Sequence, residues 1–127
     1  MDATAFLKRV EQFRQDGCRL VLINACSLVP KTAEEEGAVD LAWTFERAGA
    51  LEHLREQVVP GRDEVPSVSA SFPFAFLYEN EIAELFGVKI TGCNVDFKGQ
   101  LYQTTSKVPM SPKAIRARLQ AAKEKKP

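Results

Sequence analysis

The sequence predicts an α/β chain of the α+β kind: a small mixed, largely antiparallel sheet flanked by helices, with an extended C-terminal tail. Three observations predict it. Val39, Leu41, Trp43 and Phe45 alternate with Asp40, Ala42, Thr44 and Glu46, the period of a half-buried antiparallel strand. Phe6, Leu7, Val10 and Phe13 recur at helical spacing, and Gly17 follows as a stop. Residues 72–86 form a second amphipathic stretch, entered through Pro73 and closed by Gly87.

The remaining elements follow in order. The first helix is placed at 3–16. Cys18 to Val29 is rich in Leu, Val and Ile and reads as a strand. Lys31 to Gly37 is a polar turn, and Arg47-Ala48-Gly49 a second. Residues 50–59 fit either a helical period or a hairpin partner; their place after a short turn favours strand. Pro60 through Pro66 reads as loop, and Ser67 to Ser71 as irregular or briefly extended. A short strand is expected at Val88 to Thr91. No periodicity runs from Gly92 to Pro112, and Pro109 and Pro112 punctuate that stretch. Lys113 to Lys126 is rich in good helix formers and suits a short basic helix. The organisation is a single α/β domain over 1–99 and an extended basic tail over 100–127.

On a helical wheel, Leu85, Tyr78, Ile82, Ala75 and Phe86 fall on one arc of the 72–86 helix. Asn80, Glu81, Glu84 and Leu77 fall opposite. Glu79 joins neither set: it lies between Phe86 and Ala83, at the edge of the apolar arc. Such a carboxylate is expected to be buried and paired: it must find backbone N–H groups or a cation, from elsewhere in this chain or a neighbouring subunit, or stay protonated. The wheel leaves Glu81 and Glu84 solvated or at an interface.

Composition narrows the function classes. With 127 residues, 45% hydrophobic and 27% charged, the chain is neither disordered nor collagen-like. Seventeen basic residues cancel seventeen acidic ones, so net charge does not favour nucleic acid. The charges are segregated, however. From Lys107 onward seven basic residues face only Glu124, giving +6, and the rest of the chain carries −6. That asymmetry predicts a tail docking onto something acidic. No apolar run approaches the roughly 20 residues of a spanning helix. The start, Met1-Asp2-Ala3-Thr4, lacks a signal-peptide pattern. Three cysteines cannot all pair, which fits a reducing compartment.

Reactive motifs are sparse. Cys18, Cys26, Cys93 and His53 show no metal-ligand spacing and read as ordinary buried cysteines and a solvated histidine. There is no Gly-x-Ser-x-Gly. The spacing Gly87-x-x-x-x-Gly92 is that of a phosphate loop, but Cys93 stands where its lysine belongs. Glu79, Glu81 and Glu84 are close enough for acid–base work, which keeps a free-standing enzyme as one reading.

The run Tyr78-Glu79-Asn80-Glu81-Ile82-Ala83-Glu84-Leu85-Phe86-Gly87-Val88 resembles the signature of the 30 kDa subunit family of respiratory complex I. Glu79, Glu81, Phe86 and Gly87 match it directly; Asn80 replaces the family's Arg and Glu84 its Asp. Val65-Pro66-Ser67-Val68 matches the family's Val-Pro-Ser segment, and Gly92 its later glycine. The family's Arg-rich continuation is replaced by Asp96-Phe97-Lys98-Gly99-Gln100-Leu101-Tyr102 and Lys107-Val108-Pro109-Met110-Ser111-Pro112. That ending, with Glu-Asn-Glu, is similar to the small subunit of Ech-type, energy-converting membrane-bound [NiFe] hydrogenases.

The resemblance implies a non-catalytic scaffold subunit without catalytic, cofactor or metal residues of its own. Its implied partners are a hydrogenase large catalytic subunit, a small iron–sulfur subunit and a ferredoxin-like subunit, which would carry [NiFe] and iron–sulfur clusters. The assembly would couple ferredoxin-linked proton reduction to ion translocation. The chain would sit peripherally on the cytoplasmic face of the membrane, touching it only through the complex. The equivalent subunit of a quinone- or NADH-linked dehydrogenase is the other family reading. Interface or structural roles are expected for Glu79, Asn80, Glu81, Glu84, Phe86, Gly87, Phe97, Tyr102, Lys107 and Pro109. Phe97 and Tyr102 would be aromatic anchors, and the region after Gly92 would order only against a partner.

Overall fold

The computed structural model describes residues 2–32, 34–98 and 107–124. Helix α1 spans Ala3–Gln15. Asp2 caps it, its carboxylate accepting from the Ala5 N–H at 3.1 Å. Gly17, at φ +83°, turns the chain away. Phe6, Val10 and Phe13 are buried, and Leu7 is not.

Strands β1 (Arg19–Leu28), β2 (Ala38–Arg47) and β3 (Ala50–Val58) form an antiparallel meander in that order. Residues 50–58 are therefore strand, paired in register with β2 from Arg47↔Ala50 to Val39↔Val58. The alternation of β2 sets its faces: Val39, Leu41, Trp43 and Phe45 are each at most 2% exposed. Helix α1 lies across them. The Phe6 and Trp43 rings are 4.7 Å apart, and Phe13 stacks on Phe45 at 4.2 Å. β1 lacks that clean alternation for a structural reason. Leu20 pairs with Phe45 and Leu22 with Thr44, so Val21 is an extra, bulged residue and the inward parity changes there.

The stretch expected to be loop up to Pro66 contains a three-residue strand, β4 (Glu64–Pro66). It pairs in parallel with β5 (Lys89–Thr91) as a separate two-stranded sheet. Between them the second helix begins as a 3-10 turn at Pro73–Ala75 and continues as α2 (Phe76–Phe86). Gly87, at φ +78°, closes it.

The basic helix expected within the tail, over 113–126, is present: α3 runs Pro112–Glu124. Ser111 caps it through its hydroxyl, which accepts from the Ala114 N–H at 3.2 Å. Pro112 fills the first helical position, where its missing N–H costs nothing. Residues 107–112 pack on this chain's own body. Met110 N–H donates to the Leu85 carbonyl at 2.6 Å, and Ser27 Oγ donates to the Met110 carbonyl. Pro112 is fully buried against Gly37, where an added Cβ would stand 2.6 Å from Pro112 Cβ and 2.8 Å from the Leu28 carbonyl oxygen. The expectation that the region after Gly92 orders only against a partner therefore fails for 94–97, which hydrogen-bond within the chain, and for 107–112. Internal partners already exist there: the Leu85 carbonyl at the end of α2, and the crevice beside Gly37.

Candidate functional site

Helix α2 places two adjacent polar residues inside the protein, and each holds a different loop. Glu79 is 2% exposed. Its Oε1 accepts from the Ser67 hydroxyl at 2.7 Å and its Oε2 from the Val68 N–H at 2.8 Å. Ser67 has one proton, so with that proton on Glu79 the 2.8 Å contact between the Ser67 and Ser69 hydroxyls is donated by Ser69. Ser69 Oγ in turn accepts from the Asn94 N–H at 3.1 Å. The Cys93 thiol lies 3.1 Å from the Val95 carbonyl and 3.6 Å from Glu79 Oε1, so Val95 is the nearer acceptor.

Asn80 is 7% exposed. Its amide nitrogen donates to the Phe76 and Val95 carbonyls, both at 2.7 Å. Its carbonyl oxygen accepts from the Phe97 N–H at 2.9 Å. One planar amide thus pins both ends of segment 95–97, and both its hydrogens and its oxygen are used. Glu79 holds 67–68 by acceptance alone; Asn80 holds 95–97 by donation and acceptance.

Burial pushes the Glu79 carboxyl above the usual carboxylate range, against the opposing pull of the Ser67 and Val68 hydrogen bonds. Burial also pushes the Cys93 thiol up, and the neighbouring Glu79 carboxylate adds to the shift. A raised thiol pKa works against nucleophilic use of Cys93.

The other predicted positions are scattered. The cation expected beside Glu79 is replaced by a hydroxyl and a backbone N–H, because the chain turns back at Ser67–Ser69 directly over the carboxylate. Glu84 is 9% exposed, so it is not solvated. The wheel puts Asn80 and Glu84 on an outer face, but the chain returning at 93–97 covers Asn80, and Glu84 is buried as well. Glu81 is half-buried. Tyr78, expected in the apolar arc, is 36% exposed and donates to the Val21 carbonyl at 3.1 Å, at the bulge of β1. Phe86 is half-buried against the core. Gly87 carries Val108 on its bare side; an added Cβ would meet Val108 Cγ1 at 3.2 Å. Phe97 is half-buried, 6.2 Å from the Phe76 ring. Lys107 is exposed and Pro109 half-buried. Tyr102 lies outside the described residues.

The cysteines are not the buried set expected: Cys26 is exposed, Cys18 and Cys93 are half-buried, and all three are free thiols. His53 is exposed, with Nδ1 2.8 Å from Thr44 Oγ1 across the β2–β3 ladder. Among the described residues, no three His, Cys, Asp or Glu side chains are grouped to hold a metal ion. Sequence reasoning missed Ser67, Ser69 and Val95. The Val65-Pro66-Ser67 match pointed at the first of them, but only the fold brings it to Glu79.

The class this arrangement defines is a small α+β domain: a three-stranded meander, then a helix whose buried polar residues fasten two loops. The model of the respiratory-chain NADH dehydrogenase 30 Kd subunit family matches residues 1–114, and the chain belongs to that family. In a solved structure of the membrane-bound sulfane sulfur reductase (MBS), an archaeal respiratory membrane complex, one chain shares the fold. The TM-score is 0.54 and the identity 16%, over 92% of this chain and 73% of that one. Among curated proteins none matches. No helix of the described residues is long and apolar enough to cross a membrane.

Proposed function

We propose that the chain is a non-catalytic scaffold subunit of a membrane-bound, energy-converting [NiFe] hydrogenase complex. It carries no cofactor itself and packs against the large catalytic subunit, the small iron–sulfur subunit and a ferredoxin-like subunit. The family match over residues 1–114 carries the subunit reading. The Glu-Asn-Glu variant and the 96–112 ending favour the hydrogenase branch. Asn80 supports it structurally: where the family has Arg, an amide here clasps segment 95–97 instead of offering a charge. The apolar surface at the start of α2 suits packing against another subunit, with Phe74 81% and Leu77 48% exposed. Peripheral attachment to the cytoplasmic face would then come through the assembly.

The test is purification of the tagged chain from native membranes, with identification of what accompanies it. A large subunit with two Cys-x-x-Cys pairs and stoichiometric nickel is expected, while the isolated chain binds neither iron, nickel nor flavin. Iron retained near one equivalent by the isolated chain through gel filtration would defeat the scaffold reading. The fold likeness to the sulfane sulfur reductase complex favours a second reading, the same position in a sulfur-reducing assembly. A nickel-free large subunit with sulfur-reducing turnover would select it.

A further inference from the structure

We infer that α3 is a docking helix for an acidic protein surface on a neighbouring subunit, with Leu119 as its apolar contact and its exposed cations around it. The inference rests on the subunit reading above and assigns a role to the one element that reading leaves idle.

The charge on α3 is unmatched. The helix carries Lys113, Arg116, Arg118 and Lys123. Among the described residues none of the four is in an ion pair, whereas five of the ten basic residues of the body, Arg9, Arg14, Arg19, Arg62 and Lys89, face a carboxylate. The segment from Lys107 onward totals +6. A surface that complements it is acidic.

The described contacts that root the helix lie at its N-terminal end. Ser111 caps it, Pro112 is wedged beside Gly37, and Ile115 N–H donates to the Ser111 carbonyl at 3.0 Å. Its root is therefore built into the fold. Beyond Arg116 every residue from Ala117 to Lys123 is exposed. A helix rooted at one end and solvent-exposed along the rest is pre-organised for a partner, which lowers the ordering cost of binding.

The side chains of α3 suit a protein surface better than a lipid one. On the wheel, Lys113, Arg116, Gln120 and Lys123 share one side, Ile115, Leu119 and Ala122 adjoin it, and Arg118 flanks these apolar residues on their other side. Leu119, 54% exposed, is the only bulky apolar side chain beyond the half-buried first turn among the described residues of the helix. The rest of that face is alanine, and the helix sequence holds no aromatic. Interfacial membrane helices bury Trp, Phe and Leu along a whole face. One leucine ringed by cations suits a small pocket in an acidic protein.

The test compares the tagged wild-type chain with R118E/L119S/K123E, all at exposed positions, and with the charge-keeping R118K/K123R. Each is purified from native membranes at physiological and raised salt. The reversed variant should keep the wild-type circular dichroism and recover on the order of tenfold less partner subunit. R118K/K123R should recover wild-type amounts, and raised salt should strip the wild type toward the reversed variant. If the wild type recovers no partner, the subunit reading falls and the docking helix with it. Equal recovery by the wild type and the reversed variant would leave the subunit reading standing and overturn the role of α3. Two further outcomes, with partner recovery unchanged, would also overturn it. One is charge-dependent sedimentation of the full-length chain with phosphatidylglycerol vesicles. The other is a charge-dependent dimer by light scattering, which would make the partner a second copy.

Discussion

Helices α2 and α3 invert each other. α2 buries Glu79, Asn80 and Glu84 and leaves Leu77 nearly half exposed. α3 exposes Lys113, Arg118 and Lys123 and is rooted only through Ser111, Pro112 and its first turn. Both are properly terminated, by Gly87 at the end of α2 and by Ser111 at the start of α3. Polarity of sequence is thus a poor guide to depth in this molecule. A polar residue goes inside when returning chain offers it partners, as the Ser67 hydroxyl and the backbone of Val68, Val95 and Phe97 do for α2. Beyond the first turn of α3 the described residues stay exposed to solvent.

Paired truncations should break the comparison most visibly. Ending the chain at Ser106 removes Val108, Met110 and Pro112 from the body. Of the three only Pro112 is fully buried; fully burying an apolar side chain of that size contributes about 1.5–3 kcal/mol, the half-buried Val108 less, and each lost hydrogen bond costs about 1 kcal/mol more. A denaturant melt should therefore show a loss of about 3 kcal/mol or more. Ending it at Arg116 removes only the exposed part of α3, and the melt should move by less than about 0.5 kcal/mol. Equal melts for the two truncations would mean that 107–112 does not pack as described.

The next effect is at the loop anchors. Glu79→Ala leaves the Ser67 hydroxyl and Val68 N–H without their acceptor, and Asn80→Ala strands two carbonyls and an N–H. Each should cost about 2 kcal/mol. Their exchange signatures should differ: Glu79→Ala should speed amide exchange at Val68, and Asn80→Ala at Phe97. The same pattern in both variants would show that the two loops open as one unit.

A smaller effect separates the carboxylates by pH. Folding raises the Glu79 pKa, so the folded chain holds that proton more tightly than the unfolded one. Its contribution to stability is fully present below the unfolded value of 4.5 and is lost as pH rises through the folded value. Glu11 is the opposite case. Arg14 and Ser71 hold its carboxyl down to about 2, so its contribution is present above 4.5 and is lost as pH falls toward 2. Melts of wild type, Glu79→Gln and Glu11→Gln from pH 3 to 8 should show slopes removed at opposite ends of the range. Identical profiles for the two variants would contradict the burial of Glu79. The smallest effect belongs to α3, where Arg118→Ala should change stability by less than about 0.5 kcal/mol.

The same contrast explains what was legible in the sequence. β2 could be read to the residue, because strict alternation fixes both the strand and its inner face. β1 could be read as a strand but not as two faces, since the bulge at Val21 changes parity without any sequence mark. Strand β4 is three residues long and ends in Pro66, below what a pattern can register. The anomalous place of Glu79 is visible on the wheel, and its burial follows. Its partners are not, because Ser67 is brought to it by the parallel pairing of β4 and β5 and by no local rule. The wheel assigns Asn80 and Glu84 outward because it describes one helix and knows nothing of chain that folds back over it. The start of α3 is written in Ser111-Pro112, a cap followed by a first-turn proline, though the two prolines nearby read more readily as punctuation.

The contact of Gly37 with Pro112 also bears on the order of folding. Gly37 precedes the core strand β2, while Pro112 lies near the end of the chain, so a loop spanning most of the sequence must close before that crevice fills. Loop closure of this length is entropically costly and slow relative to local helix and hairpin formation. During synthesis, at about 5–20 residues per second, the meander is complete several seconds before Pro112 is made. Until then the Gly37 crevice stands unfilled in the nascent chain, and filling it sets the root of α3.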